Sequence, residues 1–268
     1  MAYYEMIPII ILAFFCELVD SSLGMGYGTT LTPILLALGF EPLQIVPAVL
    51  CSEALTGILA GVFHQEFGNV DFRKGTRDFK VVLLLTACSV VGVLISTLLA
   101  VNLPSWIVKL YIGALVLGLG VFILINRRKD YSFSWLRIGG LGWLAAFNKG
   151  ISGGGYGPVV TAGQVLSGVR GRNAVGITSL AEGITSVVGF AIYFFSGAVL
   201  DTALLVSLAA GAVLSVPLSA YLVSRLPAGK LTVVIGGLTT CLGGDTLVRL
   251  LVEVRAPVLS LGWGPVSP

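Results

Sequence analysis

Leu23-Gly24-Met25-Gly26-Tyr27-Gly28-Thr29-Thr30-Leu31-Thr32-Pro33 breaks the first hydrophobic stretch of the chain, and Ser152-Gly153-Gly154-Gly155-Tyr156-Gly157-Pro158 breaks a later one. Glycine tolerates positive φ and close backbone approach. Three glycines within positions 24–28 therefore unwind a helix unless packing forbids it. The flanking apolar runs are short, at 6–19 and 29–38 around the first break and 135–147 and 158–167 around the second. At about 1.5 Å per residue, a run of about 10 residues covers about 15 Å, half the hydrocarbon core. These pieces read as half-helices or re-entrant arms. The six remaining apolar segments, 45–63, 79–101, 105–125, 174–195, 199–223 and 229–252, are long enough to span a bilayer.

Composition agrees. Of 268 residues, 56% are hydrophobic and 11% charged, and the mean hydropathy is +0.98. Soluble domains carry roughly 25% charged residues, so the bilayer is the principal solvent and the lipid a partner. The net charge of +3 is gathered in a few loops and reads as an orientation signal, not as a nucleic-acid surface. Cys16, Cys51, Cys88 and Cys241 have no metal-ligand spacing and read as small buried apolar side chains. No Lys or Arg precedes the first apolar run, so that run is expected to stay in the mature protein, since a cleaved leader has a basic start.

The loops test the topology. Arg73, Lys74, Arg77 and Lys80 precede one span, and Arg127, Arg128, Lys129 and Arg137 follow the next; Arg170 and Arg172 follow the second break, and Arg225 and Lys230 separate the last two spans. Cytoplasmic loops carry the excess of Lys and Arg. All four clusters lie inside only if each broken segment turns back as a hairpin. Broken helices that cross fully are the alternative, and they put Arg170 and Arg172 outside. With hairpins, each half has one hairpin and three spans, an odd number of crossings, so the halves are inverted. The expected fold is an all-α membrane protein of two inverted repeats, 1–128 and 129–268.

The repeat is readable without gaps. Matching Tyr27 to Tyr156 sets an offset of 129 (156 − 27), at which Gly24, Gly26 and Gly28 meet Gly153, Gly155 and Gly157, Thr32 meets Thr161, and Glu53 meets Glu182. Inverted repeats with broken helices mark secondary transporters.

Two constellations carry chemistry. Half-helices starting near Thr29 and Pro158 aim free N–H groups and the positive dipole end into the middle of the membrane, which suits an anion. The candidate substrate-binding residues are Gly24, Gly26, Tyr27, Gly28, Thr29, Thr30, Ser152, Gly153, Gly154, Gly155, Tyr156 and Gly157; close packing through small residues is the alternative reading. The second constellation is Ser52, Glu53 and Glu182, inside apolar spans where ionisable groups are costly and usually functional. They suit proton coupling or a polar lining; hydrogen bonding to backbone freed by the broken helices explains them equally well.

Lys149 matches Asp20 in the repeat frame, which suggests a bridge between hairpins or a cationic substrate group. His64 reads as part of an interfacial rim. Asp245 and Arg249, four apart, can pair on one helix face. Walker A, H-E-x-x-H and a Gly-x-Ser-x-Gly with a base partner are absent from the sequence, so neither an enzyme nor a bound cofactor or metal is expected. An anion channel, a cation or metal carrier using the glutamate pair, and a lipid-handling factor stay open as rivals, as does a homo-oligomer.

The residues Asp20-Ser-Ser-Leu-Gly24-Met-Gly26-Tyr-Gly28, Pro33-Ile-Leu-Leu36, Gly39-Phe-Glu-Pro42 and the second copy through Gly153–Gly157 resemble the sulfite exporter (TauE/SafE) family over essentially the whole chain. Met25, Tyr27, Thr29 and Thr30 stand where consecutive glycines are commoner. The resemblance implies a secondary carrier of small, often sulfur-containing anions, such as sulfite, thiosulfate or organosulfonates, in the multi-pass setting of the cytoplasmic membrane.

Overall fold

The computed structural model describes residues 3–126, 134–167, 169–198, 200–223, 240–241, 244–249 and 251–252. The expected repeat boundary at 128/129, the basic residues Arg127, Arg128, Lys129, Arg225 and Lys230, and most of the expected last span lie outside them.

Nine helices run through the described residues: α1 (Tyr3–Leu23), α2 (Tyr27–Ala37), α3 (Pro42–Glu66), α4 (Arg77–Asn102), α5 (Ser105–Asn126), α6 (Trp135–Ser152), α7 (Tyr156–Leu166), α8 (Gly171–Phe195) and α9 (Thr202–Leu222). No strand occurs among the described residues. Five of the helices are long and apolar enough to cross a membrane: α1, α3, α4, α8 and α9. Side chains such as Phe15, Leu98, Leu136 and Leu214 point outward, as expected where hydrocarbon is the solvent.

The offset of 129 survives in the helix boundaries. Adding it to α2 (27–37) gives 156–166, the limits of α7, and adding it to α3 (42–66) gives 171–195, the limits of α8. Packing obeys the same exchange. α1 packs on α9 as α6 packs on α4, α3 packs on α9 as α8 packs on α4, and α3 packs on its own counterpart α8. One apolar core combines α1, α2, α3 and α9, and its equivalent combines α6, α7, α8 and α4. Each broken pair is thus seated between the long helix that follows it and one helix from the other half of the chain, α9 for α1 and α2, and α4 for α6 and α7.

α3 and α8 run in opposite directions. A Cβ on Gly57 would meet Gly183, one on Gly61 would meet Leu180, and one on Gly176 would meet His64, so one helix descends as the other climbs. The crossing is closed by glycine, because Gly57 would bring its Cβ to 2.6 Å from the Cα of Gly183. Small residues at such crossings let backbones approach and gain dispersion contact.

Both breaks are true reversals. The Ser21 carbonyl, near the end of α1, accepts from the His64 ring near the end of α3, while α2 delivers the chain to the start of α3 three residues after Gly39. α2 therefore returns toward the face where α1 began. α6 runs alongside α4, with Gly139 against Cys88 and Gly150 against Ser96, and α7 returns to the start of α8.

Two details differ from the sequence reading. The return helices begin at Tyr27 and Tyr156, two residues earlier than Thr29 and Pro158. The first arms are longer than 6–19 and 135–147, because Asp20, Ser21, Ser22, Asn148 and Lys149 stay helical and buried. At about 1.5 Å per residue, the 21 residues of α1 cover about 31 Å. A hydropathy reading stops at the first charge, whereas the helix continues wherever that charge finds a partner inside.

Candidate functional site

The two glycine turns meet tip to tip. Gly24 (φ 68°) and Gly26 (φ 132°) occupy the left-handed half of backbone space, as do Gly153 (φ 71°) and Gly155 (φ 82°). Gly28 needs its missing Cβ for a different reason: a methyl there would run into the carbonyl of Gly153. Reciprocally, a Cβ on Gly154 would stand 2.5 Å from the Gly28 carbonyl carbon and 2.6 Å from the Thr29 nitrogen. Polar bonds join the tips across this contact. Gly155 N–H donates to Thr29 Oγ1 (3.0 Å), and Thr161 Oγ1–H donates to the Gly24 carbonyl (2.6 Å).

All twelve candidate residues are buried, and contacts between the turns join Gly24, Gly28 and Thr29 to Gly153, Gly154, Gly155 and Gly157. Ser152 Oγ serves its own turn, donating to the Asn148 carbonyl and accepting from Gly154 N–H at 3.1 Å. The tyrosines brace the return helices outward. Tyr27 Oη is hydrogen-bonded to Ser52 Oγ (2.8 Å), and Tyr156 Oη to Ser89 Oγ (2.9 Å). Ser52 thus supports the first turn and does not join the carboxylates. At the start of α2, Tyr27 N–H donates to Asp20 Oδ1 (3.0 Å), so a carboxyl of the same hairpin takes a donor that a bound anion would otherwise use.

Glu53 and Glu182 do converge, and the group that unites them is Lys149. Its ammonium is wholly buried and donates to Glu53 Oε2 and to Glu182 Oε1 (2.8 Å), with the Tyr156 ring 5.9 Å away. The expected bridge between Lys149 and Asp20 is not formed. Repeat equivalence puts those two residues at matching places on separate hairpins, but the crossing of α3 and α8 delivers two carboxyls to the lysine first. Removing one partner of such a buried set is expensive, because the desolvation cost stays while the attraction goes.

Beside the junction lies a small cavity lined by Glu17, Asp20, Ser21, Glu53, Thr56, Gly57, Ser179 and Glu182. Glu17 was missed from sequence. Its signal was present, since a carboxyl inside Phe14-Phe-Cys-Glu17-Leu-Val-Asp20 falls under the same reasoning as Glu53, and Asp20 follows three residues later on the same helix face. His64 is also not a rim residue. It is fully buried; Nε2–H donates to the Ser21 carbonyl (3.1 Å), and Nδ1 accepts from Asn69, whose amide also donates to the Ala220 carbonyl (3.1 Å). The ring pins the end of α1 to α3. Of the cysteines, Cys16 is buried, Cys51 and Cys88 are partly covered and Cys241 is exposed, against the expectation of four buried thiols. Asp245 and Arg249 pair as expected, at 2.7 Å.

Comparison with known proteins fits this arrangement. The family model described as "Sulfite exporter TauE/SafE" matches residues 9–246. A Bacillus subtilis (strain 168) protein named "Probable membrane transporter protein YtnM" is 31% identical over 246 residues, covering 87% of this chain and 79% of its own. No solved structure matches the chain. With a match that takes in both glycine turns, the buried lysine and its two carboxyls, the chain belongs to the sulfite exporter TauE/SafE family.

Proposed function

We propose that the protein is a secondary transporter that carries a small, sulfur-containing anion, such as sulfite, thiosulfate or an organosulfonate, across the cytoplasmic membrane by alternating access. The observation that carries this reading is the central junction, where two reversed helix pairs meet beside a buried ammonium. Opposed broken helices of this kind hold the substrate in transporters built from inverted repeats. The opposite directions of α3 and α8 support inversion of residues 1–128 against 129–268.

In this reading Gly24, Gly26, Tyr27, Gly28, Thr29 and Thr30 on one side, and Ser152 through Gly157 on the other, part to admit the anion, and Lys149 supplies its countercharge. The cation-carrier alternative is disfavoured by geometry, since the Lys149 ammonium already stands between Glu53 and Glu182, where a transported cation would sit. The family description and the relative's name support a carrier over an enzyme.

The test is counterflow in liposomes containing purified protein, with radiolabelled sulfite, thiosulfate and methanesulfonate. A carrier gives saturable uptake that is accelerated by unlabelled anion on the far side. Flux that rises linearly with concentration, without such acceleration, would establish a channel instead.

A further inference from the structure

The junction holds more acid than its lysine can answer. Glu17, Asp20, Glu53 and Glu182 line one cavity, all buried, and Lys149 is the one cation hydrogen-bonded to any of them among the described residues. Were all four ionised, one ammonium would leave three negative charges unanswered. An anion arriving at Lys149 would add to that excess, in surroundings where uncompensated charge costs several kcal/mol per ion.

Glu17 is where this excess is least answered. It is 2% exposed, its Oε1 accepts from Ser21 Oγ–H at 2.5 Å, and its Oε2 has no hydrogen-bond partner. The charged groups facing it are Asp20 on its own helix, Glu53 from α3, Glu182 from α8 and, through those two acids, Lys149 from α6. Cys16 and Tyr27 are the adjacent titratable neighbours. α9, which shares a core with Ile9, Ala13 and Cys16 of α1, has no Asp, Glu, Lys, Arg or His between Thr202 and Leu222. The repeat frame adds an independent point. Glu53 has Glu182 as its counterpart, but Glu17 corresponds to residue 146 (17 + 129), which is the fully buried Ala146. A methyl therefore suffices for packing at this place in the fold, and the carboxyl serves something else.

We propose that Glu17 is the coupling-proton site of the transporter, taking up one proton for each anion that engages Lys149. This deepens the anion-carrier reading and rests on it. A proton from bulk water forms an O–H bond at Oε2 of Glu17, and the cluster loses one negative charge. A monoanion can then displace Glu53 or Glu182 from the Lys149 ammonium with no net change in buried charge. Opening to the other face releases the anion, the carboxylates return to Lys149, and the Glu17 proton leaves to water on that side. Proton and monoanion move together and electroneutrally.

Two readouts test this on reconstituted full-length protein. Infrared difference spectra, taken as buffer pH is stepped, show a protonated-carboxyl carbonyl band. Glu17→Gln removes it and Glu17→Asp retains it, shifted. A band that titrates unchanged in Glu17→Gln overturns the proposal, whatever the substrate proves to be. In the second readout, a trapped pH dye follows protons while a gradient of methanesulfonate, a monoanion with no titratable proton of its own, is imposed. Wild type acidifies the lumen in step with labelled methanesulfonate; Glu17→Gln keeps methanesulfonate counterflow but loses the acidification. Acidification preserved in Glu17→Gln overturns the proposal. Absence of sulfite, thiosulfate and methanesulfonate counterflow in wild type sinks the anion reading instead, and the infrared readout still decides whether Glu17 binds the proton. Should Glu17→Gln fail to fold, Glu17→Ala, which copies the side chain of Ala146 at the equivalent place, stands in for it in both assays.

Discussion

Gly154→Ala measures how tightly the two turns are held together. The new Cβ would lie 2.5 Å from the Gly28 carbonyl carbon and 2.6 Å from the Thr29 nitrogen, where ordinary contact begins at 3.4 Å. The shortfall is close to 0.9 Å (3.4 − 2.5). Both neighbours are backbone, so no rotamer change relieves the clash and the hairpins must separate by about that distance. The Gly155 N–H to Thr29 Oγ1 bond, now 3.0 Å, then stretches beyond hydrogen-bonding range. Overpacking costs about 1–3 kcal/mol and a lost hydrogen bond about 0.5–1.5. The sum is a loss of roughly 1.5–4.5 kcal/mol.

The control is Gly140→Ala on α6, the helix that leads into this turn, where a Cβ meets nothing within 4 Å. It should be neutral or gain up to about 1 kcal/mol from helix propensity. Denaturant titration of the detergent-purified proteins, read by tryptophan fluorescence, gives the difference, and sulfite counterflow gives its functional consequence. Gly154→Ala should lose both stability and counterflow while still inserting in the membrane. Behaviour equal to Gly140→Ala would refute the tip-to-tip contact and the site built on it.

Other outcomes follow from the same geometry. Lys149→Met leaves Glu53 and Glu182 facing each other unpaired and should cost about 3–5 kcal/mol; adding Glu53→Gln and Glu182→Gln should recover much of that in the same titration, without restoring counterflow. Thr161→Val removes the hydroxyl that donates to the Gly24 carbonyl and is hydrogen-bonded to Thr178, with an expected loss of about 1–3 kcal/mol for leaving buried acceptors unmet. Outside the spans, the carboxyl of Glu41 is held below its usual range by the Ser105 hydroxyl and then by Lys109, at 2.7 and 3.1 Å. A lowered folded-state value means that its stabilisation is present above the unfolded carboxyl range and fades as pH falls through the folded value. Glu41→Gln should remove that acid-side slope, by less than about 1 kcal/mol because the Glu41 side chain is more than half exposed; an unchanged slope between pH 3 and 6, about the usual carboxyl titration range, would contradict it.

Much of this molecule is legible in its residue order. The hydrophobic runs, the broken segments and the ungapped offset of 129 are properties of residue order, because a bilayer demands continuous apolar length and glycine alone tolerates the positive φ of Gly24, Gly26, Gly153 and Gly155. The boundaries of α2 against α7 and of α3 against α8 follow that offset to the residue. Hydropathy failed where polar residues continue a helix, at Asp20–Ser22 and Asn148–Ser152, since one-dimensional reading prices each polar group as though it were alone.

What only the tertiary structure decided is which partners those polar groups find. Lys149 meets Glu53 across 96 positions of sequence and Glu182 across 33, and His64 reaches Ser21 across 43. Such meetings depend on the crossing of α3 with α8 and on the depth at which each hairpin stops, quantities set by side-chain volumes packed from four helices at once. Residue order alone determined a membrane chain in which two glycine turns recur at an offset of 129. The fold alone determined that those turns touch, that one lysine holds two carboxyls, and that Glu17 faces them with an oxygen to spare.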